Sequence, residues 1–382
     1  MRIVHVSDAY LPRLGGIERH VHDLAARQDA DGHDVSVLTT VAGTNGTPQR
    51  VEVIRPELRT PADATAMRHT WAPRAARLDA LVEADVLHVH SSSVSPLAYL
   101  AIATARRHRV PTLVTMHSLL AGAAPVFRMA DTVLGWKSDA VVWSAVSEAA
   151  AGPLRRALGA GRPVAVLGNA VDAAAWRTPP RPTDSRRIVI ASVGRLTARK
   201  RPRQLLGILR RARAKLPPAI RLEAQLIGDG PLRGSLESYV DRHGMRSWVT
   251  LRGVASREQI RRTYHDVDLY VAPATLESFG IAALEARSAG LPVLARAQGG
   301  VADFVTHGLN GLLAADDAGM TDGIVQLARD PALRRVMRRH NRTVRPPFEW
   351  CDILPRTYAL YERAVAGAGR RVRPPARSGS GG

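Results

Sequence analysis

Apolar residues in this chain fall into short continuous runs, separated by longer stretches in which they recur every three or four positions. The runs read as strands covered on both faces, and the periodic stretches as amphipathic helices packed over them. The alternation therefore predicts an α/β fold class with parallel sheets wrapped by helices. In the first half it predicts strands over Ile3–Ser7, Asp34–Thr39, Val51–Ile54, Val86–His90, Thr112–Met116, Ala140–Val146 and Val164–Leu167. A helix from about Gly16 to Ala30 would set Val21, Leu24 and Ala25 on its apolar face. The alternation restarts with Ile188–Val193, Leu222–Ile227, Val249–Leu251, Asp268–Ala272 and Pro292–Ala295.

Between the two series lies Thr178-Pro179-Pro180-Arg181-Pro182-Thr183-Asp184-Ser185, where proline removes backbone donors and restrains its neighbours, so this stretch reads as a linker. A chain of 382 residues exceeds what one core normally serves. The expected organisation is a first domain over 1–170, a linker over 171–186, a second domain over 187–349 and a C-terminal helix over 350–366. A basic, Pro/Gly-rich tail over 367–382 has no hydrophobic period and is expected to be disordered.

At 45% hydrophobic and 23% charged residues the composition is that of a globular protein. One cysteine, Cys351, excludes an internal disulfide and fits a reducing compartment. No apolar run approaches the length of a membrane span and the N-terminus shows no signal-peptide pattern, so a cytoplasmic location is expected. The formal net charge of +20 asks for an anionic partner, unless it only reflects arginine placed on solvated faces. With 4% aromatics and no recognisable nucleic-acid-binding signature, nucleic acid is ranked behind an anionic membrane surface, on whose inner face the protein would sit peripherally.

The densest chemistry is in Glu277-Ser278-Phe279-Gly280-Ile281-Ala282-Ala283-Leu284-Glu285, which follows a predicted strand and sets two carboxylates eight positions apart around a helix start. Ser278 is the expected N-cap, leaving the N–H groups of Phe279, Gly280 and Ile281 as the donors of the first turn, a place that favours diphosphate. Carboxylates beside a phosphate site make sense if they accept hydrogen bonds from the hydroxyls of a sugar carried on that phosphate. Arg195 and Lys200 sit five apart after the first strand of the second half, and beside their basic neighbours Arg199 and Arg201 they read, from composition alone, as a solvated basic loop. Gly15-Gly16 opens a helix where backbone can approach a phosphate, or is merely a turn.

Three other motifs carry weaker signals. His88 and His90 share one strand face, but no third ligand at a suitable spacing is evident, so no metal site is assigned. Asp266-Val267-Asp268 precedes its strand and reads as a connection. Gly228-Asp229-Gly230 finds its next glycine only at Gly234, which is the wrong spacing for a dinucleotide fingerprint.

The paired carboxylates, together with Leu14-Gly15-Gly16-Ile17-Glu18, Gly32-His33-Asp34-Val35, Val193-Gly194-Arg195 through Lys200, Leu226-Ile227-Gly228-Asp229-Gly230 and Ala289-Gly290-Leu291-Pro292-Val293, occur in an order that resembles the retaining, nucleotide-sugar-dependent glycosyltransferases of the E-x7-E type, which are family 4-like. The resemblance covers roughly residues 1 to 366. It implies the GT-B fold, two Rossmann-like doubly wound parallel-sheet domains facing a cleft, with the last helix returning to the first domain. It also implies an acceptor-binding first domain and a donor-binding second one.

Residue by residue, the resemblance places Arg195 and Lys200 on the donor diphosphate, Glu277 on the hexose hydroxyls and Glu285 on the ribose. Backbone groups of Ser278, Phe279, Gly280 and Ile281 would meet sugar and phosphate, and Gly228 and Val254 would lie near the base. It makes His117 the active-site histidine beside the reacting sugar, and lets Gly15 and Gly16 approach the donor phosphate. The implied activity is transfer of a hexose from a UDP- or GDP-linked sugar to a hydroxyl acceptor, lipid-linked or glycan, without metal or cofactor. The acceptor, carried by loops such as Val41–Arg50 and Leu58–Trp71, stays unnamed, and front-face attack and a covalent intermediate both stay open. A sugar-nucleotide epimerase and a non-catalytic binding subunit are the alternative readings.

Overall fold

The computed structural model describes residues 1–13, 15–43, 51–55, 79–120, 139–159, 161–179 and 186–370. Leu14, most of the loop 41–50, all of 58–71, most of the linker 178–185 and the tail from 371 onward lie outside these residues. The chain divides into two compact units, one of Met1–Gly168 with the chain from Ile353, the other of Asn169–Asp352.

The first unit is built from β1 (Arg2–Ser7), α1 (Gly16–Ala30), β2 (Asp34–Thr39), β3 (Glu52–Ile54), α2 (Asp79–Glu83), β4 (Val86–Ser91), α3 (Pro96–His108), β5 (Thr112–Met116), β6 (Val141–Ala145), α4 (Glu148–Leu158) and β7 (Val164–Val166). Residues 353–367 of the closing helix, Trp350–Gly367, complete it. Among the described residues its seven strands pair in the order β3-β2-β1-β4-β5-β6-β7, all parallel. The direction of winding reverses between β1 and β4, and open α/β sheets bind ligands outside the strand ends at such a reversal.

The second unit contains α5 (Ala173–Trp176), β8 (Arg187–Val193), α6 (Pro202–Lys215), β9 (Arg221–Ile227), α7 (Arg233–Arg242), β10 (Val249–Gly253), α8 (Arg257–His265), β11 (Leu269–Ala272), α9 (Ile281–Ser288), β12 (Val293–Arg296), β13 (Gly311–Ala314), α10 (Asp317–Arg329) and α11 (Pro331–Thr343). Its parallel order β10-β9-β8-β11-β12-β13 repeats the doubly wound plan, with the reversal between β8 and β11. Ile188, Ile190, Leu205, Leu209, Leu222, Leu226 and Leu294 are buried in one cluster between sheet and helices. Each such side chain contributes about 1.5–3 kcal/mol.

The expected α/β architecture is thus borne out, with two adjustments. β13 is absent from the predicted strands, because Asn310 and its own first residue, Gly311, read as a turn, and only pairing with β12 makes these four residues a strand. Pro292 and Asp268 fall just outside their strands. The Asp268 carboxylate instead accepts from Val189 N–H at 3.0 Å and pairs with Arg338 at 3.0 Å, so this buried residue is the structural connection its position suggested.

The first unit has an unusual polar core. His5, His88, His90 and His117 are all buried. Burial lowers the pKa of His5 to about 4 and of His117 to about 3, while His88 and His90 are pushed well down by burial and by the imidazoles beside them. These groups are neutral in the fold but take up protons near pH 6.5 when unfolded, so the stability present above pH 6.5 is lost as pH falls toward the folded values. Denaturant unfolding followed by circular dichroism is therefore expected to show stability dropping below about pH 6.5, by up to about 1.4 kcal/mol per pH unit for each histidine. A stability that is flat from about pH 7 to about pH 5 would contradict neutral burial of the cluster.

Candidate active site

In the second unit the chemistry gathers where winding reverses, at the carboxyl ends of β8 and β11. β8 is followed by Gly194, whose N–H donates to the Ile227 carbonyl at 2.9 Å. Gly228 adopts φ +134°, and a Cβ there would stand 2.0 Å from the Gly194 carbonyl oxygen, so only glycine lets the ends of β8 and β9 come this close. The exposed Arg195 follows, and the chain then makes a short 3₁₀ turn, Ala198–Lys200, before α6.

The basic run after Arg195 is laced to the loop that leaves β11. Arg199 donates to the Leu276 carbonyl at 3.3 Å. Lys200 Nζ reaches Glu277 Oε2 at 2.5 Å. Arg201 donates to both Asp317 carboxylate oxygens, at 2.9 and 2.8 Å, and to the Pro273 carbonyl at 3.1 Å. These contacts tie the basic run to the loop after β11. Sequence reading paired Lys200 and Glu277 with separate parts of a ligand and missed that they meet each other across 77 positions. Nothing local could have shown it, because the contact depends on β8 and β11 being neighbours.

The expected cap of the helix at Glu285 is corrected. α9 begins at Ile281 behind Gly280, which sits at φ +89° as the N-cap, and no side chain caps it. The left-handed residue breaks the helix before Ser278 can reach it, and a Cβ on Gly280 would come 2.5 Å from Val301 Cγ2. The Ala283 and Leu284 N–H groups donate to the Gly280 carbonyl, so the first-turn donors are those of Ile281 and Ala282 and not those of Phe279 and Gly280.

Other residues of the motif are firmly placed. The Phe279 ring packs with Phe304 and Phe348, at 5.5 and 5.2 Å between centroids, and the Glu277 carbonyl accepts from Gly300 N–H at 2.9 Å. Ser278 is buried. Glu285, also buried, stands 3.9 Å from Arg257 Nε. Tyr270 lies within the electrostatic reach of both carboxylates. Its hydroxyl donates to the Val193 carbonyl at 3.3 Å, and burial, followed by Glu277 and Glu285, pushes its pKa up. Val254 is 63% exposed just beyond β10. Arg195, Lys200, Glu277 and Gly228 thus belong to the loops around one reversal point, with Glu285 on the helix behind it.

In the first unit, Gly15 and Gly16 occupy the N-cap and first position of α1. Buried Glu18 in the first turn pairs with Arg13 at 3.2 Å. His117 follows β5 directly. Its Nε2 lies 3.0 Å from His90 Nδ1, its Nδ1 is buried without a partner among the described residues, and its ring stands 6.0 Å from that of His20 on α1. The sequence reading that His88 and His90 lack a third imidazole is corrected. The parallel register of β1 and β4 sets His5 opposite His88, and the nearest nitrogens of His5, His88 and His90 lie within 4.8 Å of one another. Gln28 was also missed. It interrupts the apolar stripe of Val21, Leu24 and Ala25 with a fully buried amide, and such an interruption is the signal that could have revealed it.

Comparison with known proteins adds the family. Residues 178–344 match the family described as Glycosyl transferases group 1, and residues 14–175 match Glycosyltransferase Family 4. A glycogen synthase of Mycobacterium tuberculosis (strain CDC 1551 / Oshkosh) is 28% identical, over 96% of this chain and 96% of that protein. A D-inositol 3-phosphate glycosyltransferase of Mycolicibacterium smegmatis is 36% identical, but over 51% of this chain and 44% of its own length. Among solved structures, HepE of Anabaena in complex with UDP and glucose superposes with a TM-score of 0.75 at 21% identity, over 95% of this chain and 99% of that one. Sucrose-phosphate synthase of Thermosynechococcus elongatus gives 0.72 at 22% identity, over 96% and 99%. With residues 14–175 and 178–344 matched in chain order by two glycosyltransferase family models, and the fold shared with these solved structures, the chain belongs to the family 4-like glycosyltransferases of the GT-B fold.

Proposed function

We propose that this glycosyltransferase moves a hexose from a UDP- or GDP-linked sugar to a hydroxyl acceptor with retention of anomeric configuration, the donor being held on the second unit. The observation that carries the reading is the Lys200–Glu277 contact at the reversal between β8 and β11. It gives an ammonium fit for a diphosphate and a carboxylate fit for sugar hydroxyls within one contact. Support for a uridine nucleotide comes from the structural relative HepE, whose structures hold UDP and UDP-glucose.

In this reading the diphosphate takes Lys200 from Glu277 and draws in Arg195, while Ile281 and Ala282 N–H groups at the start of α9 face its oxygens. As the glycosyl–phosphate bond breaks, charge grows on the leaving diphosphate. Removing one fixed positive group of this kind costs about 2.7–4 kcal/mol in the barrier, by analogy with oxyanion-site deletions. Glu277, freed from Lys200, accepts from hexose hydroxyls, and Glu285 from the ribose. Gly228 and Val254 flank the base, with backbone groups of Ser278, Phe279 and Gly280 beside the sugar. The first unit supplies the acceptor site, His117 and the Gly15-Gly16 helix start.

Glu277→Gln is expected to lower the transfer rate by about 10²–10³-fold, the loss typical of one preorganised group. It should leave nucleotide diphosphate binding intact or tighter, since Lys200 loses its competing carboxylate. Glu285→Ala should weaken the nucleotide by about 1–3 kcal/mol, because buried ribose hydroxyls lose their acceptor. Calorimetry with the nucleotide diphosphate beside initial rates separates the two. Loss of nucleotide binding in Glu277→Gln with none in Glu285→Ala would reverse the assignment.

Positive side chains are assigned here to the leaving-group charge, so turnover of the donor is expected to survive excess chelator. A strict requirement for an added divalent ion would replace this assignment with a metal-bridged diphosphate.

The net charge of +20 leads to peripheral attachment on anionic membranes, which suits a lipid-linked acceptor. Among the described residues no helix is long and apolar enough to cross a membrane. Co-sedimentation with anionic vesicles is expected at low salt and is expected to fade at high salt. Equal binding to neutral vesicles, or no binding, would refute it.

A further inference from the structure

The buried polar groups of the first unit form one unbroken series of hydrogen bonds, and its proton order can be worked out from one end. Ser144 Oγ donates to the Val114 carbonyl at 3.3 Å, a group that can only accept. Its single proton being used, Ser144 accepts from Thr115 Oγ1 at 2.8 Å. Thr115 therefore accepts from His88 Nε2, also at 2.8 Å. A neutral His88 with its proton on Nε2 offers a lone pair at Nδ1, which takes the Tyr361 hydroxyl proton at 2.9 Å. Tyr361 oxygen is then the acceptor for Gln28 Nε2 at 3.0 Å, and that fixes the amide with Oε1 toward His5 Nε2 at 2.7 Å.

From Gln28 the order continues outward. His5 must donate from Nε2, so its Nδ1 accepts from His90 Nε2 at 3.0 Å. His90 Nδ1 then accepts from His117 Nε2 at 3.0 Å. The last lone pair in the series is His117 Nδ1, buried and, among the described residues, without a hydrogen-bond partner. The order requires neutral rings, and burial depresses the basicity of all four histidines. All of these side chains are buried, so water does not compete for the bonds. A metal held by His5, His88 and His90 would need lone pairs where His5 and His90 share a proton and where Tyr361 and Thr115 engage His88.

We infer that Gln28, His5 and His90 are positioning residues that lock His117 as its Nε2–H tautomer, so that His117 Nδ1 meets its ligand solely as a hydrogen-bond acceptor for an O–H group. The role deepens the proposed sugar transfer and rests on that reading for the identity of the hydroxyl, which would be a sugar hydroxyl. The tautomer itself does not depend on it.

The test is long-range ¹H–¹⁵N correlation NMR of the full chain with ¹⁵N-histidine, the His117 resonance being assigned through His117→Gln. The wild-type protein is expected to show neutral Nε2–H imidazoles at His5, His90 and His117 at neutral pH. An Nδ1–H tautomer or a charged ring at His117, or a metal-bound ring at His90, overturns the proposal. In Gln28→Leu, His117 is expected to populate both tautomers. Tyr361→Phe, which removes one oxygen and frees the Gln28 amide to turn, should do the same if Gln28→Leu fails to fold. A His117 tautomer unchanged in a folded variant overturns the relay.

With the sugar nucleotide as substrate, either variant is expected to lose about 10–100-fold in kcat, by analogy with the loss when an outer partner that orients a metal-bound imidazole is removed. Affinity for the free nucleotide diphosphate should stay as in the wild type. Failure of sugar transfer with the locked tautomer intact would count against the proposed function and leave the relay standing. A mixed tautomer with kcat unchanged would overturn the role given to His117 Nδ1.

Discussion

Lys200 and Glu277 lie 77 positions apart and touch because β8 and β11 are neighbours whose connections leave the sheet in opposite directions. That reversal is a consequence of parallel strands and crossover helices, and it opens a place beside the strand ends that no connection covers. The loops on either side must then be held without a helix between them. Arg199 and Arg201 do this through the Leu276 and Pro273 carbonyls, and Arg201 and Arg296 share Asp317. Gly228 and Gly280 supply the tight backbone that lets the strand ends and the α9 start come together. The ion pair stands within this frame, so its two charges are placed by the fold and not by the ligand.

The first unit applies the same sheet plan to different chemistry. Its reversal lies between β1 and β4, and the histidines of those strands and of the β5 end project into one buried cluster. A core of this kind is costly unless every polar group is satisfied, and here each ring nitrogen from His5 to His117 except the last has a partner among the described residues. Tyr361 on the closing helix completes the series, which makes the last stretch of the chain part of the first unit's polar core.

Much of this was legible in the sequence. The two series of strands and α1 follow from spacing, since apolar runs and helical periods are local properties. That Arg195, Lys200, Glu277 and Glu285 share one site is what the family resemblance implies, and the order of motifs carries that resemblance. What stayed hidden is non-local or conformational. β13 is a strand only because β12 pairs with it, and His5 joins His88 only through parallel register. Ser278 has the composition of a cap, but the left-handed Gly280 moves the helix start past it. Lys200 and Glu277 were each assigned to a ligand, and their contact with each other depends on the topology.

The central claim is that the loops after β8 and β11 form one donor site, in which diphosphate displaces Glu277 from Lys200. A crystal structure with the nucleotide diphosphate bound tests it most directly. The account predicts the diphosphate within hydrogen-bond reach of Lys200 Nζ and of the Ile281 and Ala282 N–H groups, with Lys200 no longer on Glu277. A nucleotide bound elsewhere, with the 2.5 Å Lys200–Glu277 contact still closed, would contradict it.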